Sequence, residues 1–424
     1  MPDESPLLPA DFSVPRLNAG VDAGLRDNTA QTDMPALRAY RLERVRAQLR
    51  ARDYAGCLLY DPINIRYATG SRNMAVWTMH NAVRYCFVAT EGPVVLFDFH
   101  NCGHLSAGIE TIDEVRPAVP IFYFGAGSRR QEQAGRFAAE IEELVAAHGG
   151  GNRRIAVDKL ELAGAKALEA LGVELFDGQE VAELARVIKS PDEIAAMREA
   201  IRVCQLGMAR MHEAARPGMT ENEVWSLLHQ TNIANGGEWI ETRLFSAGER
   251  SNPWFAECSS HVIEAGDIVS YDTDLIGPYG MCADMSRSFV YGTPNDEQKR
   301  LYGLAREQIE HNIALLHAGL GFREATERAW QMPESCRPNR YSVVYHGVGL
   351  CDEYPAIVYR EDFGAFGYDG EFQPGMTICV ESYMGELGGR EGIKLEEQVL
   401  ITETGVERLS TFPYEDNLMP SRWE

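Results

Sequence analysis

Residues 270–292, SYDTDLIGPYGMCADMSRSFVYG, contain the most informative pattern of the sequence. Asp272 and Asp274 stand two apart at the end of an apolar run, and Asp284 follows the turn sequence GPYG. Because alternate residues of a strand face the same side, we expect Asp272 and Asp274 to point the same way. Asp274 and Asp284 are symmetric about the turn, so a hairpin with Gly280 in a left-handed conformation would set them opposite each other. The stretch therefore predicts a cluster of acids on a β-hairpin.

Three more candidate ligands follow on strand-like segments further along the chain. His346 lies in YHGVG, Glu381 in TICVES and Glu396 in IKLEEQ. Any one of these acids alone is explained as an exposed or ion-paired strand residue, but a buried set of carboxylates needs compensation. One histidine with several carboxylates is the composition of an oxygen-rich centre for two metal ions, which the ordered set predicts. The predicted ligands are Asp272, Asp274, Asp284, His346, Glu381 and Glu396.

The composition narrows the classes of function. The 424 residues are enough for two domains, and 63 acidic against 40 basic residues give a formal net charge of -23. Such a charge repels nucleic-acid phosphates and anionic membranes, so we expect neither as a partner. The nine cysteines include no CxxC pair, which disfavours a zinc ribbon or a disulfide framework. No apolar run is long enough to span a bilayer, and the N-terminus lacks the basic start of a signal peptide, so the expected location is the cytoplasm.

The distribution of segments predicts two domains behind an N-terminal arm. Residues 1–36 are rich in proline, aspartate and alanine and lack periodicity, which is typical of an extended arm. In residues 37–189, short apolar runs alternate with amphipathic helical segments, as in an α/β domain. Ser190 then stands before a proline and three residues before Glu193, which is the pattern of a helix start with a capping box. Residues 190–424 form the second domain, which we expect to be α+β with antiparallel hairpins.

The order Asp, Asp, His, Glu, Glu resembles the metallopeptidase family of creatinase, prolidase and aminopeptidase P. ADMSRSFVYG, residues 283–292, is similar to the stretch around that family's second metal aspartate, and KSPDEIAAMREA, residues 189–200, to the start of its catalytic domain. The resemblance implies a creatinase-like α/β N-terminal domain, an α+β "pita-bread" catalytic domain and a homodimer. It also implies two divalent metal ions, which Asp272 or Asp274 and Asp284 would bridge or chelate. The remaining three ligands would complete the site.

Three departures separate the chain from the peptidases of this family. The peptidases have a substrate-contacting histidine upstream of the first metal aspartate, and counting back from Gly266 and Asp267 its place falls at Trp254 or Phe255. The place of a second histidine, after HGVG, is taken by Asp352. Asp272 and Asp274 stand where the family usually has one aspartate. These residues cannot readily replace a proton-shuttling imidazole, so amide hydrolysis is disfavoured although the metal ligands remain.

SYDTDLIGPYGMCADMSRSF and YHGVGLCDEYP together resemble the branch of this family that cleaves dimethylsulfoniopropionate. The resemblance implies a lyase that releases dimethyl sulfide and acrylate by β-elimination, with Asp352 as the general base and Asp274 as an additional metal ligand. It implies iron as the first choice of metal, and the oxygen-rich shell would also accept manganese, cobalt or zinc. A metal that binds the substrate carboxylate acidifies the neighbouring carbon, and aromatic rings can hold a cationic leaving group. The candidate rings are Trp254, Phe255, Tyr341 and Tyr345.

Two other functions stay open on the sequence. One is an Xaa-Pro dipeptidase or aminopeptidase that hydrolyses an amide through a metal-bound hydroxide, and the other is a non-catalytic, peptidase-like binding protein. The missing histidines disfavour the first, and the intact ligand set disfavours the second. Single residues also have plainer interpretations: Asp352 could cap a helix or pair with a cation, and Trp254 and Phe255 could belong to the core. A metal assay separates the binding protein from the enzymes, and substrate tests separate the lyase from the peptidase.

Overall fold

The structure, a computed structural model, describes residues 32–419, and the chain divides into two compact units. The N-terminal unit is Asp33–Arg186, and the C-terminal unit contains the chain from Val187 onward. Most of the predicted arm, residues 1–31, lies outside the described residues, and the first helix of the described part begins at Met34. No helix in the described part of the chain is long and apolar enough to cross a membrane.

The N-terminal unit is an α/β domain, as its alternating segments predict. Its helices are α1 Met34–Ala51, α2 Pro62–Thr69, α3 Ala75–Thr78, α4 Tyr123–Ala126, α5 Arg130–His148, α6 Leu162–Ala170 and α7 Gly178–Arg186. Its strands are β1 Gly56–Leu59, β2 Tyr85–Ala89, β3 Val94–Asp98, β4 Glu114–Pro117, β5 Arg154–Val157 and β6 Glu174–Asp177. They form one mixed sheet in the order β4-β3-β2-β1-β5-β6. β1, β2 and β3 are buried along their whole length, which is typical of strands covered on both faces.

The C-terminal unit is α+β, as the sequence predicts. Its helices are α8 Pro191–Ala214, α9 Glu221–Ala234, α10 Asp296–Leu315, α11 Phe322–Arg328 and α12 Phe363–Phe366. Its strands are β7 Trp239–Ile240, β8 Phe245–Ala247, β9 Ile268–Asp272, β10 Leu275–Ile276, β11 Cys282–Ala283, β12 Ser286–Val290, β13 Tyr345–Val348, β14 Asp352–Ile357, β15 Thr377–Gly385, β16 Gly392–Ile401 and β17 Val406–Arg408. They form three sheets, β11-β10-β7, β12-β9-β8 and β14-β13-β15-β16-β17, whose strands all pair antiparallel.

The start of the C-terminal unit follows its local sequence. Ser190 Oγ accepts a hydrogen bond from the Glu193 amide at 3.2 Å, and Glu193 Oε2 accepts one from the Ser190 amide at 2.9 Å. This reciprocal pair is the predicted capping box, and it fixes the first turn of α8. A second capping box, between Thr220 and Glu223, starts α9. Both helices therefore begin where their cap residues place them.

The acid-bearing hairpin pairs β9 with β12 and β10 with β11. Asp272 lies opposite Ser286 in the first pair, and the turn between β10 and β11 has Gly280 at φ +69°, as predicted. The predicted continuous strand, however, is interrupted. β9 ends at Asp272, and Asp274 takes a left-handed φ of +35° before β10 begins. The hairpin keeps its register across this break, since Leu275 pairs with Ala283.

The five-stranded sheet carries the other candidate ligands on one face. His346 of β13 lies opposite Cys379 of β15, and Glu381 of β15 lies opposite Glu396 of β16. Opposed residues of antiparallel strands share a face, and so do alternate residues of one strand. The side chains of β13, β15 and β16 therefore converge. The opposite face packs into the main apolar core of this unit, with Tyr345 among its buried members.

Candidate metal centre and active site

The six predicted ligands come together in one buried cluster. Three groups of side chains have ligand atoms within 4.8 Å of one another in the described part of the chain. These groups are Asp284, His346, Cys379 and Glu396; Asp272, Asp274 and Asp284; and Asp272, Glu381 and Glu396. Asp284 joins the first two groups and Glu396 joins the first to the third, so the cluster is continuous. Although Asp274 leaves the strand, its carboxylate still reaches those of Asp272 and Asp284.

His346 faces the carboxylates with one ring nitrogen. Its Nε2 lies 3.3 Å from Glu381 Oε1, 3.6 Å from Glu396 Oε1 and 3.8 Å from Asp284 Oδ2. On the other side of the ring, Nδ1 donates to the carbonyl of Gly347 at 3.0 Å. That hydrogen bond leaves Nε2 as the nitrogen that can bind a metal ion. Without a cation, Nε2 lies within hydrogen-bond distance of Glu381 Oε1, and although burial opposes the change, the charge of Asp352 and this hydrogen bond raise the pKa of His346.

Glu396 provides the test of whether a cation fits. The residue is fully buried, and its Oε1 has no hydrogen-bond donor among the described residues. A buried carboxylate oxygen without a donor is costly, and a bound cation removes that cost. This oxygen lies 3.6 Å from His346 Nε2, the ring nitrogen that faces the acids. An imidazole nitrogen and carboxylate oxygens are a donor set that suits divalent iron, manganese, cobalt and zinc, so the residues fit such ions.

Burial and mutual repulsion raise the pKa of most acids in the cluster. Burial raises the pKa of Asp272 to about 6 and that of Glu381 to about 7. Burial, with the charge of neighbouring acids, also raises the pKa of Asp274 and of Asp284. In Glu396 the burial effect is outweighed, because the Lys394 ammonium lowers the pKa of that carboxyl below its usual range. The cluster without a bound cation therefore retains protons near neutral pH.

Lys394 is the site residue that the sequence analysis missed. Its ammonium lies 3.0 Å from Asp272 Oδ2, 2.7 Å from Glu381 Oε2 and 3.5 Å from Glu396 Oε2, and the residue is fully buried. It also donates to Ser286 Oγ at 2.7 Å. The signal was present, since Lys394 stands two residues before Glu396 on one strand and must share its face.

Two hydroxyl groups that the sequence analysis did not single out orient the acids. Ser286 Oγ lies 2.8 Å from both Asp272 Oδ1 and Glu396 Oε2. Thr242 Oγ1 donates to Asp274 Oδ2. Ser286 lies within the hairpin of residues 270–292, opposite Asp272, so the predicted hairpin register already places it beside that acid. Nothing in the sequence around Thr242 indicates its contact with Asp274.

Asp352 lies at the open edge of the cluster, at the start of β14. Its Oδ1 is 3.6 Å from His346 Nδ1, and 54% of its side-chain surface is exposed. Although much of the side chain is exposed, desolvation of the carboxyl raises the pKa of Asp352, and the positive charge of His346 opposes this rise. Asp352 is thus a carboxyl next to the ligands that can exchange protons with solvent.

Three of the four predicted aromatic rings lie near the cluster. The Tyr341 ring stacks on that of Phe255 with centroids 5.2 Å apart, and the Lys394 ammonium lies 4.5 Å from the Tyr341 centroid. The same ammonium is 5.9 Å from the ring of Trp254, which is only 6% exposed. Phe255 is 53% exposed. The rings of Trp254 and Tyr341 therefore already face the Lys394 ammonium, whereas the ring of Phe255 is exposed to solvent.

The structure does not bring Tyr345 to the site, which corrects the prediction for this residue. Its hydroxyl donates to the carbonyl of Asn312 at 3.0 Å, and its ring lies 5.8 Å from that of Phe372 in the core. The reason is strand alternation: because His346 points toward the ligands, its neighbour on β13 must point away.

The chain matches two known family models over most of its length. Residues 41–188 match the creatinase/prolidase N-terminal domain, and residues 195–403 match metallopeptidase family M24. Over 397 residues the chain is 43% identical to the dimethylsulfoniopropionate lyase DddP of Roseovarius nubinhibens, covering 92% of this chain and 89% of that protein. The chain belongs to the DddP branch of metallopeptidase family M24. A second relative in this branch, DddP of Roseobacter denitrificans, is 42% identical over 402 residues, with 92% of this chain and 90% of that protein covered.

Structural comparison confirms the predicted fold of this M24 enzyme. An Xaa-Pro dipeptidase from Bacillus anthracis superposes with a TM-score of 0.70 at 23% identity, covering 88% of this chain and 98% of that one. At this identity the likeness shows the fold alone. The chain therefore combines a creatinase-like N-terminal domain with a pita-bread catalytic domain, and it is an enzyme of family M24.

Proposed function

We propose that this enzyme is a metal-dependent lyase that cleaves dimethylsulfoniopropionate to dimethyl sulfide and acrylate. The observation that carries the proposal is Asp352, a solvent-open carboxyl beside the buried ligand cluster, 3.6 Å from His346. An Xaa-Pro peptidase would need a second imidazole there to handle its amide. The identity to two lyases named for this substrate supports the same choice.

The proposed ligands for two divalent ions are the six residues of the cluster. They are Asp272, Asp274, Asp284, His346, Glu381 and Glu396. When bound there, the ions supply a Lewis acid that neutralises the substrate carboxylate and acidifies the carbon beside it. We propose iron as the first choice, as the resemblance to the lyase branch implies. Manganese, cobalt or zinc are alternatives, because an oxygen-rich donor set with one imidazole accepts any of these ions. The homodimer and the cytoplasmic location stay predictions.

Asp352 would act as the general base. Its carboxylate takes a proton from the carbon next to the substrate carboxylate, the electron pair forms the double bond of acrylate, and the bond between the β-carbon and sulfur breaks. Dimethyl sulfide leaves as a neutral molecule with the electrons of that bond. The raised pKa of Asp352 makes it a stronger base than an ordinary aspartate, and its exposure lets the proton leave to water afterwards.

The proposed seat of the sulfonium group is the aromatic edge of the site. The exposed ring of Phe255 is free to receive a cation on its open surface, while its stacking on Tyr341 holds it in place. Trp254 is buried and packs against the ring of Tyr383 with centroids 5.9 Å apart. Phe255 would therefore contact the substrate, and Trp254 and Tyr341 would support it.

The decisive experiment compares the wild-type enzyme with Asp352→Asn. Asparagine keeps the shape of the side chain but cannot accept the proton. Iron-loaded wild type should release dimethyl sulfide and acrylate in equal amounts, and the variant should lose about 10²–10⁴-fold in kcat. Headspace chromatography measures the sulfide.

Equal metal content in the two proteins is the control, because it separates loss of the base from loss of the ions. If the metal-replete wild type released no dimethyl sulfide, the lyase proposal would be wrong. An Xaa-Pro dipeptide, offered to the same preparations, would then test the peptidase alternative.

A further inference from the structure

Phe255, the proposed seat of the sulfonium group, has an unusual backbone conformation. Its φ is +79°, in the left-handed region that bulky side chains rarely adopt, and 53% of its surface is exposed. Such a conformation costs free energy and persists only where the surrounding structure holds it. Because an exposed ring gains little from burial, much of the restraint must come from the loop that carries Phe255.

This loop, residues 248–258, is closed at its base by one buried carboxylate. Glu221, the first residue of α9, is 0% exposed, and its Oε1 accepts a hydrogen bond from the Ala247 amide at 2.9 Å. Its Oε2 accepts hydrogen bonds from the amide and the hydroxyl of Ser259, at 2.9 and 2.7 Å. Ala247 and Ser259 flank the loop on its two sides, so a single side chain holds both ends of the loop together.

Arg250 extends this closure into the loop itself. Its Nε lies 3.1 Å from both carboxylate oxygens of Glu221, and its Nη2 donates to the carbonyl of Glu257 at 2.7 Å. Hydrogen bonds between charged groups are the stronger kind, and here they join the first half of the loop to the second. Both oxygens of Glu221 therefore bind the loop or the residues that flank it.

Asn252 attaches the loop to the rest of the unit, three residues before Phe255. Its Nδ2 donates to two carbonyls of the turn between β15 and β16, at 2.9 Å each. Its Oδ1 accepts a hydrogen bond from Asn339 Nδ2, also at 2.9 Å. The segment that carries Phe255 is thus fixed on one side by Asn252 and on the other by Glu221.

We propose that Glu221 is a positioning residue for substrate recognition, which holds the ring of Phe255 where it receives the cationic group. The carboxylate does not contact the substrate and acts through the loop. A seat that is already ordered loses less conformational entropy on binding, so Glu221 should contribute to substrate affinity rather than to the chemical step. The inference rests on the proposed function and adds to it the residue that orders the cation seat.

Glu221→Gln tests this role, with Glu223→Gln as the matched control. Both substitutions remove one charge from the first turn of α9, and glutamine at position 223 preserves the capping box with Thr220. At position 221, glutamine replaces an acceptor by a donor that faces the donors of Ala247 or Ser259, so the closure opens. We expect the KM for dimethylsulfoniopropionate to rise about tenfold in Glu221→Gln, with kcat within about threefold of wild type, and neither constant to change in Glu223→Gln.

Two further measurements need no turnover. Calorimetry on the Asp352→Asn variant gives the dissociation constant of the uncleaved substrate, which should rise about tenfold when Glu221→Gln is added. Amides of residues 248–258 should exchange hydrogen at least about tenfold faster in Glu221→Gln than in the wild type or in Glu223→Gln. Equal metal content in all variants shows that the ligand cluster is intact.

A milder substitution keeps the test available if Glu221→Gln does not fold. Ser259→Ala removes only the hydroxyl contact with Glu221, at 2.7 Å, and leaves the amide contact in place. It should raise the KM about threefold and leave kcat unchanged. Thermal melts of each variant show whether it is folded.

If Glu221→Gln matched Glu223→Gln in KM and in the exchange of the loop, the inference would be wrong while the lyase proposal stood. A loss of kcat or of thermal stability with an unchanged KM would also overturn it, because Glu221 would then serve the fold and not the seat. If the metal-replete wild type neither bound nor cleaved dimethylsulfoniopropionate, the proposed function would itself be wrong, and the inference would fall with it.

Discussion

At the scale of single residues, the site contains more acidic side chains than basic side chains that could neutralise them. Asp272, Asp274, Asp284, Glu381, Glu396 and Asp352 converge on Lys394 and His346. Bound protons neutralise part of this negative charge, because burial raises the pKa of Asp272 to about 6 and that of Glu381 to about 7. Because the folded state holds these protons more tightly than the unfolded state, the metal-free fold loses stability as the pH rises from the ordinary pKa of a carboxyl to the raised one. Metal ions bound to these acids must displace the protons.

Metal affinity should consequently fall as the pH is lowered from 8 through 7 and 6. Each carboxyl that is protonated in the metal-free enzyme weakens binding by up to about tenfold per pH unit below its pKa, because its proton must leave. Calorimetry at pH 6 and pH 8, in buffers with different ionisation heats, counts the protons released. We expect more protons per ion, and weaker binding, at pH 6. Equal affinity and equal proton release at the two pH values would show that the ligand acids are already ionised.

At the scale of elements, the approach of β13 to β14 positions His346. The register of this pair shifts between His346 and Gly347, so the strand bends at the ligand. A Cβ added at Gly347 would lie 2.3 Å from the carbonyl oxygen of Tyr354 and 2.8 Å from that of Glu353. Both atoms are backbone of β14, so they cannot turn aside as a side chain would. Glycine is needed here for close approach of the two strands.

Gly347→Ala should therefore destabilise the enzyme and weaken metal binding together. Overpacking against backbone is expected to lower the free energy of unfolding by about 1–3 kcal/mol, and the displaced strand carries His346 with it. Urea unfolding and metal titration measure the two effects.

Gly405→Ala is the matched control, because no atom lies within 4 Å of the position of its Cβ and its backbone is not left-handed. It should change the free energy of unfolding by no more than about 0.5 kcal/mol. If Gly347→Ala behaved like the control, the close approach of β13 and β14 would not be what positions the histidine.

At the scale of the whole molecule, the ligands all belong to one of the two compact units. Each unit has its own apolar core, with Phe87 and Phe137 in that of the N-terminal unit and Phe322 and Phe372 in that of the C-terminal unit. The proposed metal ions would bind only the folded C-terminal unit. Their binding free energy should add to the stability of that unit.

Hydrogen exchange read by mass spectrometry should show this selectivity. Adding metal at 100 times its dissociation constant contributes about 2.7 kcal/mol, so amides of β9, β12, β13, β15 and β16 should exchange about a hundredfold more slowly where exchange requires opening of the site. Amides of β1, β2 and β5 should exchange at the rate of the metal-free protein. Equal slowing in both units would contradict an effect confined to the unit that holds the ligands.

Much of this protein follows from its sequence alone, because the signals are local. Ser190 and Glu193 are three residues apart, and their side chains reach each other's amides in any helix that starts there. Asp272, Asp284 and Glu381 lie on segments whose strand character is readable, and their order along the chain indicates the family. For the same reason the α/β and α+β units and the left-handed Gly280 were predictable.

Other features could not be predicted from the sequence, because they depend on how strands that are distant in sequence pack together. Nothing near Lys394 in the chain states that Asp272 lies 3.0 Å from its ammonium, since that contact joins β9 to β16. The stacking of Tyr341 on Phe255 and its contact with the Lys394 ammonium likewise join segments that are far apart in the sequence. Local sequence sets where strands begin and which side chains alternate, whereas the charge and ring that each side chain meets are set by the packing of sheets.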